Sequence, residues 1–302
     1  MTNLILGQAY NYTFEQLAPF VVSLRQSGYS GDVVLFVNRV DEETKRQLRA
    51  HGIELREFHY RGPEVRNSAY VVWPYLRWLG HLPVPFALKK AILRPIVNVP
   101  WVRMILYYDF LTGARGRYGQ VMLTDVRDVI FQADPFARTA GPGLRAFLED
   151  ESMRIGNSQA NIQWITELFG KETLESLGPL PISCSGTTIG DAESMRNYLR
   201  AFIEVAFTVR STRLNGGDQG IHNFLVHGAL KPTTTLLRNG EAEVLTMGYL
   251  EREGEFAMDA EGQLVDAKGQ LFNVLHQYDR HPGLADKIVQ RFISAGAGDS
   301  RR

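Results

Sequence analysis

The sequence predicts an α/β fold with a mainly parallel sheet flanked by helices, and three observations carry that expectation. Strand-like and helix-like patterns alternate through the first 60 residues. The stretch DVVLFV at 32–37 is a continuous apolar run, the mark of a strand covered on both faces. With 302 residues and 44% hydrophobic content, the chain can bury a large core. We expect one domain over residues 1–294, a helical insert at 61–100 and a disordered tail at 295–302.

The elements follow in order. NLILG at 3–7 reads as the first strand. Thr13 and Gln16 form a capping-box pattern that opens an amphipathic helix, closed by Gly28. After the strand at 32–37, Asp41 caps a polar helix ending near Gly52, and IELREF at 53–58 returns as a strand. Strand, helix, strand, helix, strand requires crossover connections and hence parallel pairing. The alternation then stops. Residues 67–99 hold four prolines with Arg77, Lys89, Lys90 and Arg94 between apolar positions, which reads as a pair of short inserted helices. A helix at about 100–112 and a strand at 120–125 follow, then a strand at 145–148 and a helix at 159–169. PISCSGTTIG (181–190) reads as strand and turn, and Asp191 caps a helix to about 208. A glycine-rich turn opens another helix within 215–228, DAEGQ (259–263) marks a hairpin tip, FNVLH (272–276) is a last strand, and a helix runs over 282–293.

Composition narrows the partners. The 33 basic and 33 acidic residues cancel, so nothing global favours nucleic acid, and no nucleic-acid partner is expected. The single cysteine, Cys184, excludes an intramolecular disulfide and suits a reducing cytoplasm. No signal-peptide pattern or membrane-length apolar run is present, so the expected location is cytoplasmic. Residues 61–120 nevertheless carry nine Lys/Arg against Glu64 and Asp109, together with Trp73, Tyr75, Trp78, Phe86 and Trp101. Such a segment is either a solvated basic cap over the sheet or a surface for peripheral contact with an anionic membrane.

The chemistry-bearing stretch is TDVRDVIFQADPF at 124–136. Parallel α/β sheets bind ligands at the carboxyl ends of their strands, which is where Asp125 and Asp128 fall. Two carboxylates on a turn suit a hard divalent cation, although taken alone they are more simply explained by a strand end and a capped turn. His276 also follows an apolar run, and imidazole beside carboxylates favours Mn2+, with Mg2+ the alternative.

TDVRDVIFQADPF resembles the DxD region of GT-A fold glycosyltransferases. Three further stretches match in order: ISCSGTTIG resembles the segment lining the donor sugar, GGDQGIHNF the D-Q-x-x-x-N segment of retaining enzymes, and VLHQYDRHP the late strand whose histidine completes the metal site. AYNY resembles the nucleotide-base pocket. The combination is similar to a bacterial and plant branch of family 8-like retaining enzymes, over residues 3–290. The resemblance implies a mixed, mainly parallel GT-A sheet and transfer of a hexosyl or pentosyl group from a nucleotide-sugar donor, a UDP-sugar first, to a glycan, glycolipid or small-molecule acceptor.

By the same resemblance, Asp128 and His276 ligate the metal. Asp125 serves either the ribose or an indirect metal contact, because the spacing is D-x-x-D rather than D-x-D. Cys184-Ser185-Gly186 stands in place of an asparagine-containing segment, so Ser185 and Gly186 line the donor without fixing which sugar it carries. Gln219 would face the anomeric carbon, Asp218 the sugar hydroxyls, and Asn223 completes that segment. Asn11 and Tyr12 are expected at the base, with Tyr10 the alternative for stacking. Arg103 and Arg280 are the candidate cations for the leaving diphosphate. The competing reading is a catalytically weak sugar-nucleotide-binding or scaffold protein on the same fold.

Overall fold

The computed structural model describes residues 1–60, 83–138, 141–211, 215–240, 243–250, 257–266, 268–288 and 290. The first 60 residues form β1 (Thr2–Tyr10), α1 (Phe14–Gln26), β2 (Asp32–Asn38), α2 (Glu42–Ala50) and β3 (Glu54–Glu57). Local chemistry sets these boundaries. Gln16 Oε1 accepts the Thr13 N–H at 3.0 Å ahead of α1, and Asp41 Oδ1 accepts the Thr44 N–H at 2.7 Å ahead of α2.

Helices α3 (Phe86–Leu93) and α4 (Val99–Gly113) lead into β4 (Tyr118–Thr124), β5 (Val129–Phe131) and β6 (Leu144–Leu148). Next come α5 (Gln159–Phe169), α6 (Lys171–Leu177), β7 (Ser183–Asp191), α7 (Ala192–Ala206) and α8 (Gly217–His227). The chain continues through β8 (Thr234–Leu237), β9 (Val244–Thr246), the hairpin β10 (Ala257–Met258) and β11 (Leu264–Val265), and β12 (Val274–His276). A helix then begins at 282. The DAEGQ turn closes the β10–β11 hairpin, whose strands pair antiparallel.

Seven strands make the main sheet in the order β3-β2-β1-β4-β7-β6-β8. All run parallel except β7, which is antiparallel to β4 and β6. The expected mixed, mainly parallel architecture is what forms. Alternation along β1 divides the core: Leu4 and Leu6 pack with α4 and α7, while Ile5 and Ala9 pack with α1. Two features of pairing position the site. The reversed β7 brings Gly186 beside the end of β4, so that Asp125 N donates to Gly186 O at 2.8 Å. A second sheet, β5-β12-β9, sets His276 opposite Val129, next to Asp128.

Of the expected insert, α3 is described. Lys89 pairs with Glu204 and Lys90 with Asp109, while Lys90 also lies 5.0 Å from the Tyr108 ring centroid. Two cations of the basic segment, Lys89 and Lys90, are therefore already neutralised by partners. Trp73, Tyr75, Trp78, Arg77 and the tail at 295–302 lie outside the described residues. Among the described residues no helix is long and apolar enough to cross a membrane.

Candidate active site

Asp125 leaves the end of β4, Asp128 leads into β5, and His276 ends β12. Each offers one ligand atom, and these atoms lie within 4.8 Å of one another. His276 Nε2 is 3.7 Å from Asp125 Oδ2 and 4.0 Å from Asp128 Oδ1. Both separations exceed hydrogen-bond reach, and Nε2 is a buried atom with no partner among the described residues. An orphaned imidazole nitrogen facing two carboxylates fits a divalent cation. The other ring nitrogen, Nδ1, lies 3.5 Å from Cys184 Sγ, which orients the ring.

Space is reserved for the ion. A Cβ added to Gly186 would sit 2.5 Å from His276 Nε2 and 2.7 Å from Asp125 Oδ2. Electrostatics agree. Burial opposes ionisation of Asp125, yet the Arg103 guanidinium and His276 hold its carboxyl well below the usual carboxylate range. Asp128 is pushed up by burial, against the pull of His276. Burial also opposes a charge on His276, but the surrounding groups raise it well above its ordinary value. Cys184, Asp125 and Asp128 are the groups that raise it, while the Cys184 thiol is itself pushed up by burial.

Arg103, on α4, reaches across the end of the sheet. Its Nη1 pairs with Asp125 Oδ1 and its Nη2 donates to Asp218 Oδ2 at 2.9 Å. Asp218 and Gln219 open α8, where the left-handed Gly216 (φ 76°) turns the chain. The Gln219 amide is held at both ends: Ser185 N donates to its Oε1 at 2.8 Å, and its Nε2 donates to Glu149 Oε1 at 3.1 Å.

These residues line two adjoining cavities. The larger, about 480 Å3, is bounded by Gln8, Tyr10, Tyr12, Arg127 and Asp128. The second, about 350 Å3, is bounded by Glu149, Ser185, Gly186, Gln219 and His276. Arg103, Asp125, Gly216, Asp218 and Arg280 line both. Tyr12, Arg103, Asp125, Asp128, Ser185, Gly186, Asp218, Gln219, His276 and Arg280 thus line one or both of these cavities. Asn11 and Asn223 differ. Asn11 is an exposed residue with φ 57° that turns the chain after β1, its N–H donating to Asn38 O at 3.0 Å. Asn223 is fully buried and clamps α8 to β7: its Oδ1 accepts the Ser183 N–H and its Nδ2 donates to Ser183 O, both at 2.9 Å.

Sequence reasoning missed Glu149, Asn161, Trp164 and Tyr249, which also line the second cavity. Glu149 was within reach. It directly follows the apolar run of β6, a strand that ends on the same edge as β4, and it is 5% exposed. Burial pushes its carboxyl up. The other three arrive from α5 and from the segment after β9, where nothing local marks them.

No family model and no curated protein sequence matches the chain. Solved structures do. The galactosyltransferase LgtC in complex with donor and acceptor sugar analogues aligns over 98% of this chain and 95% of its own, at 14% identity and a TM-score of 0.52. An active-site mutant of LgtC aligns over the same shares at 14% identity and a TM-score of 0.51. The chain has the GT-A glycosyltransferase fold. The WbbM bifunctional glycosyltransferase matches at 14% identity and a TM-score of 0.49, over 91% of this chain. The chain spans only 45% of the length of WbbM. In this GT-A fold the Asp125–Asp128–His276 group sits where the two cavities meet, with Asp128 on one side and His276 on the other.

Proposed function

We propose that the chain is a metal-dependent glycosyltransferase that moves a sugar from a nucleotide-diphosphate donor, a UDP-sugar first, to a hydroxyl of a glycan, glycolipid or small-molecule acceptor with retention. One observation carries this reading: a buried, unpartnered His276 Nε2 faces two carboxylates where two cavities join. The base would sit in the larger cavity, which Tyr10 and Tyr12 line. Asp125, Asp128 and His276 would hold Mn2+ or Mg2+, which supplies Lewis-acid stabilisation of a departing diphosphate. Arg103 and Arg280 add positive charge beside the same oxygens. Arg103 is fixed by two carboxylates and so needs little reorganisation to act. The sugar then falls in the second cavity against Asp218 and Gln219. The two-point hold on the Gln219 amide keeps it in place while the acceptor approaches from the leaving-group side.

Isothermal titration of UDP with and without Mn2+ tests the proposal. Binding should depend on Mn2+ and vanish in Asp128→Ala; UDP binding indifferent to metal would reject the site. Tight binding with no sugar transferred to any acceptor would favour the scaffold reading. A cytoplasmic protein with peripheral membrane contact is the matching proposal for location. Since Lys89 and Lys90 are ion-paired, any response of co-sedimentation to anionic lipid should persist when both are replaced.

A further inference from the structure

We infer that the far wall of the second cavity selects a neutral, hydroxyl-bearing sugar on the donor and rejects an anionic one, such as a uronic acid. This inference rests on the proposed function, and its evidence lies on the side of the cavity away from the metal group. That wall is built from Glu149, Asn161, Trp164 and Tyr249.

Glu149 is 5% exposed and spends one carboxyl oxygen on Gln219 Nε2, at 3.1 Å. The Cys184 thiol is its other hydrogen-bonding neighbour, and no ion pair holds this carboxyl among the described residues, so its remaining lone pairs can receive a ligand hydroxyl. Asn161 is 1% exposed, and its Oδ1 has no partner among the described residues. Its amide is oriented from behind: Nδ2 donates to Ser158 Oγ at 3.0 Å, and Ser158 Oγ in turn meets Tyr249 OH at 2.8 Å. A buried acceptor held in this way calls for a donor from the ligand, because burial without one carries a penalty. Trp164 packs over Gly216, where a Cβ would come within 2.8 Å of its Nε1. Its indole thereby borders the space beside Asp218 and Gln219 and offers an apolar face to a sugar ring.

Cations are missing from this wall. Among the described residues lining the cavity, the cations apart from the metal-site His276 are Arg103 and Arg280. Arg103 is committed to Asp125 and Asp218, and both arginines also line the diphosphate side. A uronic carboxylate reaching Glu149 and Asn161 would leave water for two acceptor groups and no positive partner. Sugar hydroxyls would instead donate to both. Buried acceptors discriminate strongly against ligands that cannot satisfy them, as pockets built around a hydroxyl do against analogues lacking it.

Titration calorimetry in Mn2+ with UDP, UDP-glucose, UDP-galactose, UDP-glucuronic acid and UDP-galacturonic acid tests this. At least one neutral UDP-sugar should bind as tightly as UDP or tighter, and both uronic donors about tenfold or more weakly than it. Glu149→Gln should narrow the gap between galacturonic and galactose donors several-fold while leaving UDP affinity unchanged. Asn161→Ala should weaken the neutral sugars and spare UDP. Equal binding of neutral and anionic donors by the wild type, or an unchanged ratio in Glu149→Gln, overturns the inference while the metal–UDP reading survives. If UDP itself does not bind, that base assignment fails, and the comparison is read from GDP-mannose against GDP-mannuronic acid. Binding of no nucleotide sugar overturns both.

Discussion

Gly186→Ala is the most direct probe of the metal group, because it adds one carbon and removes no ligand. The new Cβ would lie 2.5 Å from His276 Nε2 and 2.7 Å from Asp125 Oδ2. Comfortable carbon contacts begin near ~3.5 Å, so either side chain must retreat by about 1 Å. Metal–ligand bonds tolerate only about 0.2 Å. His276 has no room to yield, being 1% exposed, with Nδ1 against Cys184. The backbone itself accepts alanine. Gly186 lies within β7, and its φ falls outside the left-handed region. The fold should therefore survive, at an overpacking cost of about 1–3 kcal/mol. We expect Mn2+ affinity to fall at least about 100-fold, the upper end of what disturbing a supporting contact costs. Calorimetric Mn2+ titration, with circular dichroism to verify folding, reads the result. A folded Gly186→Ala protein that binds Mn2+ like the wild type would refute the assignment of this space to an ion.

Three further outcomes follow from buried groups. Arg103→Met strands two carboxylates, Asp125 and Asp218, that its guanidinium now holds, and should destabilise the apo protein by about 3–5 kcal/mol in urea unfolding. Asn223→Ala leaves the Ser183 N–H and C=O without their side-chain partner at a fully buried position, for a loss of about 2–3 kcal/mol by the same measurement. His222 is enclosed between Ser183 Oγ and Tyr198 OH, and burial lowers its pKa to about 3. The unfolded chain, with a histidine pKa near ~6.5, takes up the proton first as pH falls. Stability is therefore whole above about pH 6.5 and loses about 2 kcal/mol from this residue by pH 5. In His222→Gln, the pH dependence of urea unfolding should be shallower by that amount. An identical slope would mean that His222 takes its proton within the folded state.

Much of the scaffold was legible because its signals are local. The apolar run at 32–37 lies wholly inside β2, and the Asp41 and Asp191 caps fall where side chain and backbone meet within three residues. Shorter strands escaped notice. β5, β8 and β9 span three or four residues and exist because a neighbouring strand supplies their hydrogen bonds. Asp125, Asp128 and His276 were found by their place after apolar runs, which is a statement about strand ends. Glu149 obeys the same rule and was overlooked, because a single carboxylate after β6 has no partner nearby in sequence. Asn223 shows the opposite limit: its motif suggested ligand contact, whereas packing turned it onto the Ser183 backbone.

The sequence by itself determined the alternation of strands and helices, the class of sheet and the chemical types available for a cation. Those depend on patterns a few residues long. Tertiary structure alone decided which groups meet. The antiparallel β7 sets Gly186 against Asp125, and the β5–β12 register puts His276 opposite Val129, beside Asp128, across 147 residues of chain. Arg103 reaches Asp218 over 115 residues while it also holds Asp125, and Glu149 reaches Gln219 over 70. Such contacts arise from strand order and helix packing, where burial of the core fixes the register and no local propensity has a say.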